Sequence, residues 1–208
     1  MLRDDLLAQG SGLAARRDMG RSSLGPAGAI APSREARLVA GVDRQRLDRR
    51  QKGGAATGPS PTDRGKPGTK RHVVTDRRGT PLGLILTGAN RHDSMALVPV
   101  LDAVPGVRSG GRGRPRKRPV KLHADKAYDS RRCRMACRAR NIVPRIARKG
   151  IDSSVHLGRH RWVVERTFAW FARFRRLATR YERRADIHRA FTTLAAAIIC
   201  IKQSRRFC

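Results

Sequence analysis

The six residues Val120-Lys121-Leu122-His123-Ala124-Asp125 alternate apolar with polar side chains, so Val120, Leu122 and Ala124 fall on one side of an extended chain and Lys121, His123 and Asp125 on the other. That period of two predicts a strand with one buried face, and the strand ends on a carboxylate. Upstream, residues 72–76 (HVVTD) and 82–88 (LGLILTG) read as two further strands, joined by the turn residues Asp76-Arg77-Arg78-Gly79 into a hairpin. Between hairpin and strand, Asp93 to Val104 places Met95, Leu97, Val98 and Leu101 on one side of a helix, with Asp93 near its N-cap. Downstream the pattern predicts a helix from about Ser130 to Arg140, a short strand over 143–147 (VPRIA), and helices over roughly 158–177 and 186–202. Strands interleaved with helices indicate an α/β domain.

The charge sets the partner. Lys and Arg number 47 against 16 acids, a net +31, and a domain this basic is matched by a polyanion, with nucleic acid foremost. A membrane-surface protein fits less well, because the apolar residues do not form one amphipathic helix with lysines. No run approaches the roughly 18 apolar residues of a membrane span, and MLRDDLLAQGSG has acids where a signal peptide has bases, which points to the cytoplasm. Cys133 and Cys137, four apart on one side of a helix, read as ordinary thiols, since no second pair completes a zinc set. Residues 1–50 are rich in Gly, Ala, Ser and Arg without a sustained period, so a poorly ordered segment is expected there, followed by the domain over 51–202 and a basic tail, 203–208. The loop 109–119 (SGGRGRPRKRP) has no apolar residue; its Arg112, Arg114, Arg116 and Lys117 read equally as an Arg-Pro hook for the minor groove and as a flexible basic loop, with phosphate contact in either case.

Two carboxylates carry the chemistry. Asp125 ends a strand, and Glu165 lies on the first C-terminal helix, four residues after Arg161 and on its face. Alone, the first is a turn residue and the second half of a surface ion pair. Together, a strand-end acid and a helical acid are what two-metal phosphoryl transfer requires, with two ions about 3.5 to 4 Å apart held by several carboxylates. On the same helix Val163, Thr167, Trp170, Phe174 and Leu177 form the packing stripe, while Arg159, Arg166, Arg173 and Arg180 recur every seven residues on a cationic side. Trp162, Trp170 and Phe191 read as core, and an exposed Trp162 as a stacking surface for a base.

Three blocks, residues 62–94 (TDRGKPGTKRHVVTDRRGTPLGLILTGANRHDS), 122–130 (LHADKAYDS) and 158–177 (GRHRWVVERTFAWFARFRRL), resemble the DDE transposases of insertion sequences, in particular the IS-five group of the IS-four superfamily. The likeness spans roughly 52–202. It implies a ribonuclease H-like mixed sheet flanked by helices and a triad of two aspartates and a glutamate binding Mg²⁺ or Mn²⁺, two ions in number. By resemblance Asp125 is the second aspartate and Glu165 the glutamate, while Arg161 contacts phosphate near the transposon end. Lys66, Lys70, Arg166 and Arg173 join the loop cations as expected DNA contacts. The implied partners are double-stranded DNA of the terminal inverted repeats and of the target, with a second copy of the chain as a homodimer; the implied location is the bacterial cytoplasm, at the nucleoid.

This chain departs from the family pattern in places. Gly158 stands where the family has a tyrosine, and Ala172 where it has a basic residue, with Arg173 beside it. For the first aspartate the candidates are Asp43, ten residues before Gly53 and directly after the β-compatible run Leu38 to Val42, and Asp48, set among arginines. Nothing in residues 1–50 resembles the family's N-terminal DNA-recognition region, and a shifted reading frame or an unrelated replacement is one account of it. The residues are therefore compatible with an active transposase, with a DNA-binding remnant that has the fold but no turnover, and with an unrelated basic structural protein.

Overall fold

The computed structural model describes residues 35–43, 54–61, 64–106, 115, 117–151 and 154–205, with 35–43 and 154–161 described by backbone alone. Arg112, Arg114 and Arg116 lie outside the described residues, as do the side chains of Asp43 and Arg161.

The sheet is built on β3 (Pro67–Asp76), which pairs antiparallel with β4 (Pro81–Gly88) on one side and with β1 (Glu35–Asp43) on the other. The two-residue β2 (Gly58–Pro59) adds to the start of β3. Beyond β1 come β5 (Lys121–Ala124) and β6 (Val143–Ile146), both parallel to it, giving the order β4-β3-β1-β5-β6. The predicted hairpin is β3 and β4, and its turn has a clear cause: Asp76 Oδ1 accepts the N–H groups of Arg78 and Thr80, both at 2.8 Å, while Gly79 takes φ +84. A Cβ on Gly79 would meet Thr167 Oγ1 at 2.8 Å, so this turn also lets a helix approach closely.

Parallel strands need crossovers, and helices supply them. The first is α1 (Asp93–Asp102), whose N-cap is His92; the His92 ring accepts the Ser94 N–H, and Asp93 is the first helical residue, next to the cap as expected. A 3₁₀ turn, Lys126–Tyr128, and α2 (Arg131–Arg138, capped by Ser130) link β5 to β6. The chain ends in α3 (Ser154–Ala172), α4 (Arg175–Ala178) and α5 (Ala185–Ser204). One continuous helix over 158–177 was expected; instead the chain breaks at Phe174, in extended conformation, and the next turn carries Leu177 back into the core.

Successive residues of β3 feed opposite cores. Val74 packs with Leu97, Val100, Leu122, Tyr128, Cys133, Cys137 and Ile146 beneath α1 and α2, while Val73 packs with Phe171, Leu177, Ala195 and Ile199 beneath α3 to α5. Helices thus cover both faces of a mixed sheet, the ribonuclease H-like architecture implied by the resemblance. The sheet begins earlier than composition suggested: β1, ahead of residue 51, lies between β3 and β5. Its short run Leu38 to Val42, flanked by arginines, gives a weak periodic signal, and pairing on both edges supplies the order that propensity does not.

Candidate active site

β5 ends at Ala124, and Asp125 follows in extended conformation at its C-terminal end, the usual place for ligands at parallel strands. Its Oδ1 accepts the Lys126 N–H at 2.6 Å, and its carbonyl accepts the Tyr128 N–H at 3.0 Å, so the turn holds the carboxylate half-buried. The turn is anchored across β1 by Tyr128, fully buried, whose hydroxyl lies 3.3 Å from His72 Nδ1; His72 Nε2 lies 2.9 Å from Thr87 Oγ1. Burial lowers the His72 pKa to about 4, so the ring is neutral near pH 7 and can donate from one nitrogen and accept at the other. Burial likewise pushes the Tyr128 phenol well up, reinforced by the charges of Asp93, Cys133 and Asp125.

Lys70 is a correction. It was expected to meet DNA, but its ammonium is turned inward, 2.8 Å from Asp93 Oδ1 and 3.1 Å from the Arg91 carbonyl, with 10% and 19% of the two side chains exposed. An isolated buried ammonium is prohibitively desolvated, and the carboxylate at the start of α1 is what permits it.

The three proposed acidic residues lie on separate parts of the chain, Asp125 after β5, Asp43 at the end of β1 and Glu165 on α3. Leu38 of β1 is opposite Ala124, so Asp125 stands level with Val39. Asp43 is four residues further along, roughly 13 Å at the rise of a strand. Glu165 is exposed on α3, and its neighbours Val163 and Thr167 rest on Gly79, with Thr167 Oγ1 donating to the Gly79 carbonyl at 2.7 Å. That turn lies at the other end of β3, beyond Asp76, which pairs with Ala36. Since Val39 pairs with Val73, the turn is at least about 10 Å along the strand direction from the level of Asp125. Among the described residues no three His, Cys, Asp or Glu side chains gather into a metal-holding group. The donors fit in type, being carboxylates suited to a hard divalent cation, and the side chain of Asp43 lies outside the described residues.

The expected DNA contacts divide similarly. Lys66, Lys117 and Arg173 are exposed. Arg166, also among the expected contacts, is half-buried: its guanidinium lies over the Trp162 ring at 4.5 Å and the Trp170 ring at 5.0 Å and donates to the Arg78 carbonyl at 2.6 Å, tying α3 to the hairpin turn. Arg180, assigned to the same cationic side, is buried at 3% exposure and bonds Thr69 and the carbonyls of Ala55, Glu182 and Arg183. Trp162, expected in the core, is 51% exposed, while Trp170 and Phe191 are half-buried against the α3 to α5 core. Sequence reasoning missed the Thr87-His72-Tyr128 line; the one available signal was an aromatic residue three positions after Asp125.

The family model for the transposase DDE domain matches residues 36–200. The chain belongs to the DDE transposase family. A putative transposase for insertion sequence element IS402 from Burkholderia cepacia is 48% identical over 202 residues, covering 97% of this chain and 95% of its own length. Both matches reach into the first fifty residues, and the DDE domain takes in β1 with Asp43. Among solved structures, similarity extends to the simian T-cell lymphotropic virus intasome in complex with PP2A regulatory subunit B56 gamma (TM-score 0.42, 13% identity, 81% of this chain and 47% of that one). It extends also to the catalytic core domain of BIV integrase (TM-score 0.36, 9% identity, 81% and 82% covered). Among the described residues no helix of this DDE transposase is long and apolar enough to cross a membrane.

Proposed function

We propose that this chain cleaves DNA at the ends of an insertion element of the IS-five group and joins the freed 3′ end to target DNA, with Asp125, Glu165 and Asp43 as the acidic residues that hold Mg²⁺ or Mn²⁺ as a pair of ions. The observation that carries the reading is Asp125 at the C-terminal end of β5, held by a rigid turn inside a DDE domain. Bound ions supply activation of the attacking oxygen and charge neutralisation at the leaving oxygen. The chain's own part is to present carboxylate oxygens at fixed positions, with Asp125 Oδ1 restrained by Lys126, and to hold the polyanion on its surrounding cations. The partners under this reading are the terminal inverted repeats and the target duplex, and the working form is a homodimer at the nucleoid in the bacterial cytoplasm.

A second reading, a remnant that binds DNA without turnover, is favoured by one observation: Asp125 stands level with Val39, while the backbone of Asp43 is four residues further along β1. Cleavage of a duplex carrying the cognate inverted repeat, measured with and without Mg²⁺, separates the two. Metal-dependent nicking abolished by Asp125→Ala and by Glu165→Ala supports the enzyme. Equal background from all three proteins, with DNA binding retained, establishes the remnant.

A further inference from the structure

Residues 131–149 contain seven arginines, one lysine and no acid. The fold sorts these cations. Arg134 binds Asp129 at 2.7 Å and the Ile146 carbonyl at 3.0 Å, Arg140 binds Asp102 at 3.3 Å, and Arg132 Nη1 contacts the Met95 sulfur at 2.6 Å. Arg131, Arg138 and Arg145 are exposed and make no ion pair among the described residues. Cys133 and Cys137 occupy the buried side of α2, which leaves Arg131 and Arg138 on its outer side, seven residues or about 10 Å apart along the axis. That separation is close to the roughly 12 Å width of a DNA major groove. Arg145 stands on β6, the last strand in the order, against which α2 packs.

The surface also leads to the candidate site. Ala147 N–H donates to the Ala124 carbonyl at 3.1 Å, so the chain leaving β6 emerges beside Asp125, and the exposed Arg148 and Lys149 follow at once. Cations concentrated in this way repel one another unless a polyanion lies across them. We propose that the outer side of α2 and the edge of β6 form a docking surface for the phosphate backbone of a double-stranded DNA segment, separate from the α3 side that bears Arg173 and running up to Asp125. The choice of polyanion rests on the DNA-cleaving reading, which this surface extends by a second place for a duplex.

The test is equilibrium binding of the full chain to a short fluorescent duplex of arbitrary sequence, followed by anisotropy over a salt series. Arg131→Gln/Arg138→Gln/Arg145→Gln is compared with wild type and with Arg175→Gln/Arg189→Gln/Lys202→Gln, three exposed cations of α4 and α5. Each lost phosphate contact flattens the slope of log affinity against log salt by about 0.9, so the first triple loses about 2.7 and the second less than one contact's worth. An unchanged slope in the first triple, or equal losses in both, overturns the proposal. If the first triple is poorly folded by circular dichroism, Arg138→Gln and Arg145→Gln singly replace it, each expected to cost about 0.9. A surface that passes this test in a protein that never nicks DNA refutes the enzymatic reading alone.

Discussion

Replacing Lys70 by Met distinguishes sharply between a surface cation and an internal one. If Lys70 contacted DNA, the substitution would flatten the salt dependence of binding by about 0.9 and leave stability unchanged. The structure requires the reverse. Removing the ammonium leaves Asp93, 19% exposed and 2.8 Å away, without its counter-charge and deprives the Arg91 carbonyl of a donor. Breaking one side of a fully buried pair costs about 3 to 5 kcal/mol, and the residual exposure of both groups brings this to about 2 to 3. In a chain of this size that corresponds to a melting temperature lowered by roughly 5 to 10 °C. Urea unfolding of Lys70→Met, Asp93→Leu and the double variant closes the cycle: the double should recover most of the loss of Lys70→Met, because two apolar side chains leave no orphaned charge. Full stability in Lys70→Met together with a flattened salt slope would refute the reasoning.

Three further outcomes follow from the same packing. His72 and His188 are both fully buried with pKa values lowered to about 4, by burial first and, for His188, next by the charges of Arg180 and Arg71. Between the unfolded value of 6.5 and about 4 the unfolded chain takes up protons that the folded chain refuses, so stability should be full above pH 6.5 and fall as pH drops towards 4, by up to about 3 kcal/mol per histidine; urea midpoints that stay flat from pH 7 to pH 5 contradict this. Phe171→Ala should cost about 3 to 5 kcal/mol in thermal unfolding, since the ring is fully buried beneath Arg71 in the α3 to α5 core, and a loss below about 1 kcal/mol would show that this core is not packed as described. Burial raises the Cys137 thiol to about 11, so alkylation of Cys137 in the native protein at pH 8 should be slow and become fast only on unfolding, as peptide mapping would show.

The sequence by itself determined the elements whose exposure follows a local period. The alternation across 120–125 gave β5, the spacing of Leu97 and Leu101 gave α1, and Asp76 to Gly79 gave the hairpin turn. Asp125 was legible because the strand visibly ended on it. What only the tertiary structure decided is which charges are inside. Lys70, Arg71 and His72 are consecutive polar residues on a strand buried on both faces, and nothing local marks them as internal. Their partners are distant in the chain: Asp93 for Lys70, the Leu177 carbonyl and Phe171 ring for Arg71, and Tyr128 with Thr87 for His72. Arg166 and Arg180 fit a seven-residue surface repeat, yet one is held between two indoles and the other among backbone carbonyls. The levels of Asp125, Asp43 and Glu165 depend on strand register and on where α3 meets the hairpin turn. The physical reason is common to all of these: periodicity reports the face a residue shares with its neighbours in sequence, whereas a charge can be buried only when a remote element brings the group that satisfies it.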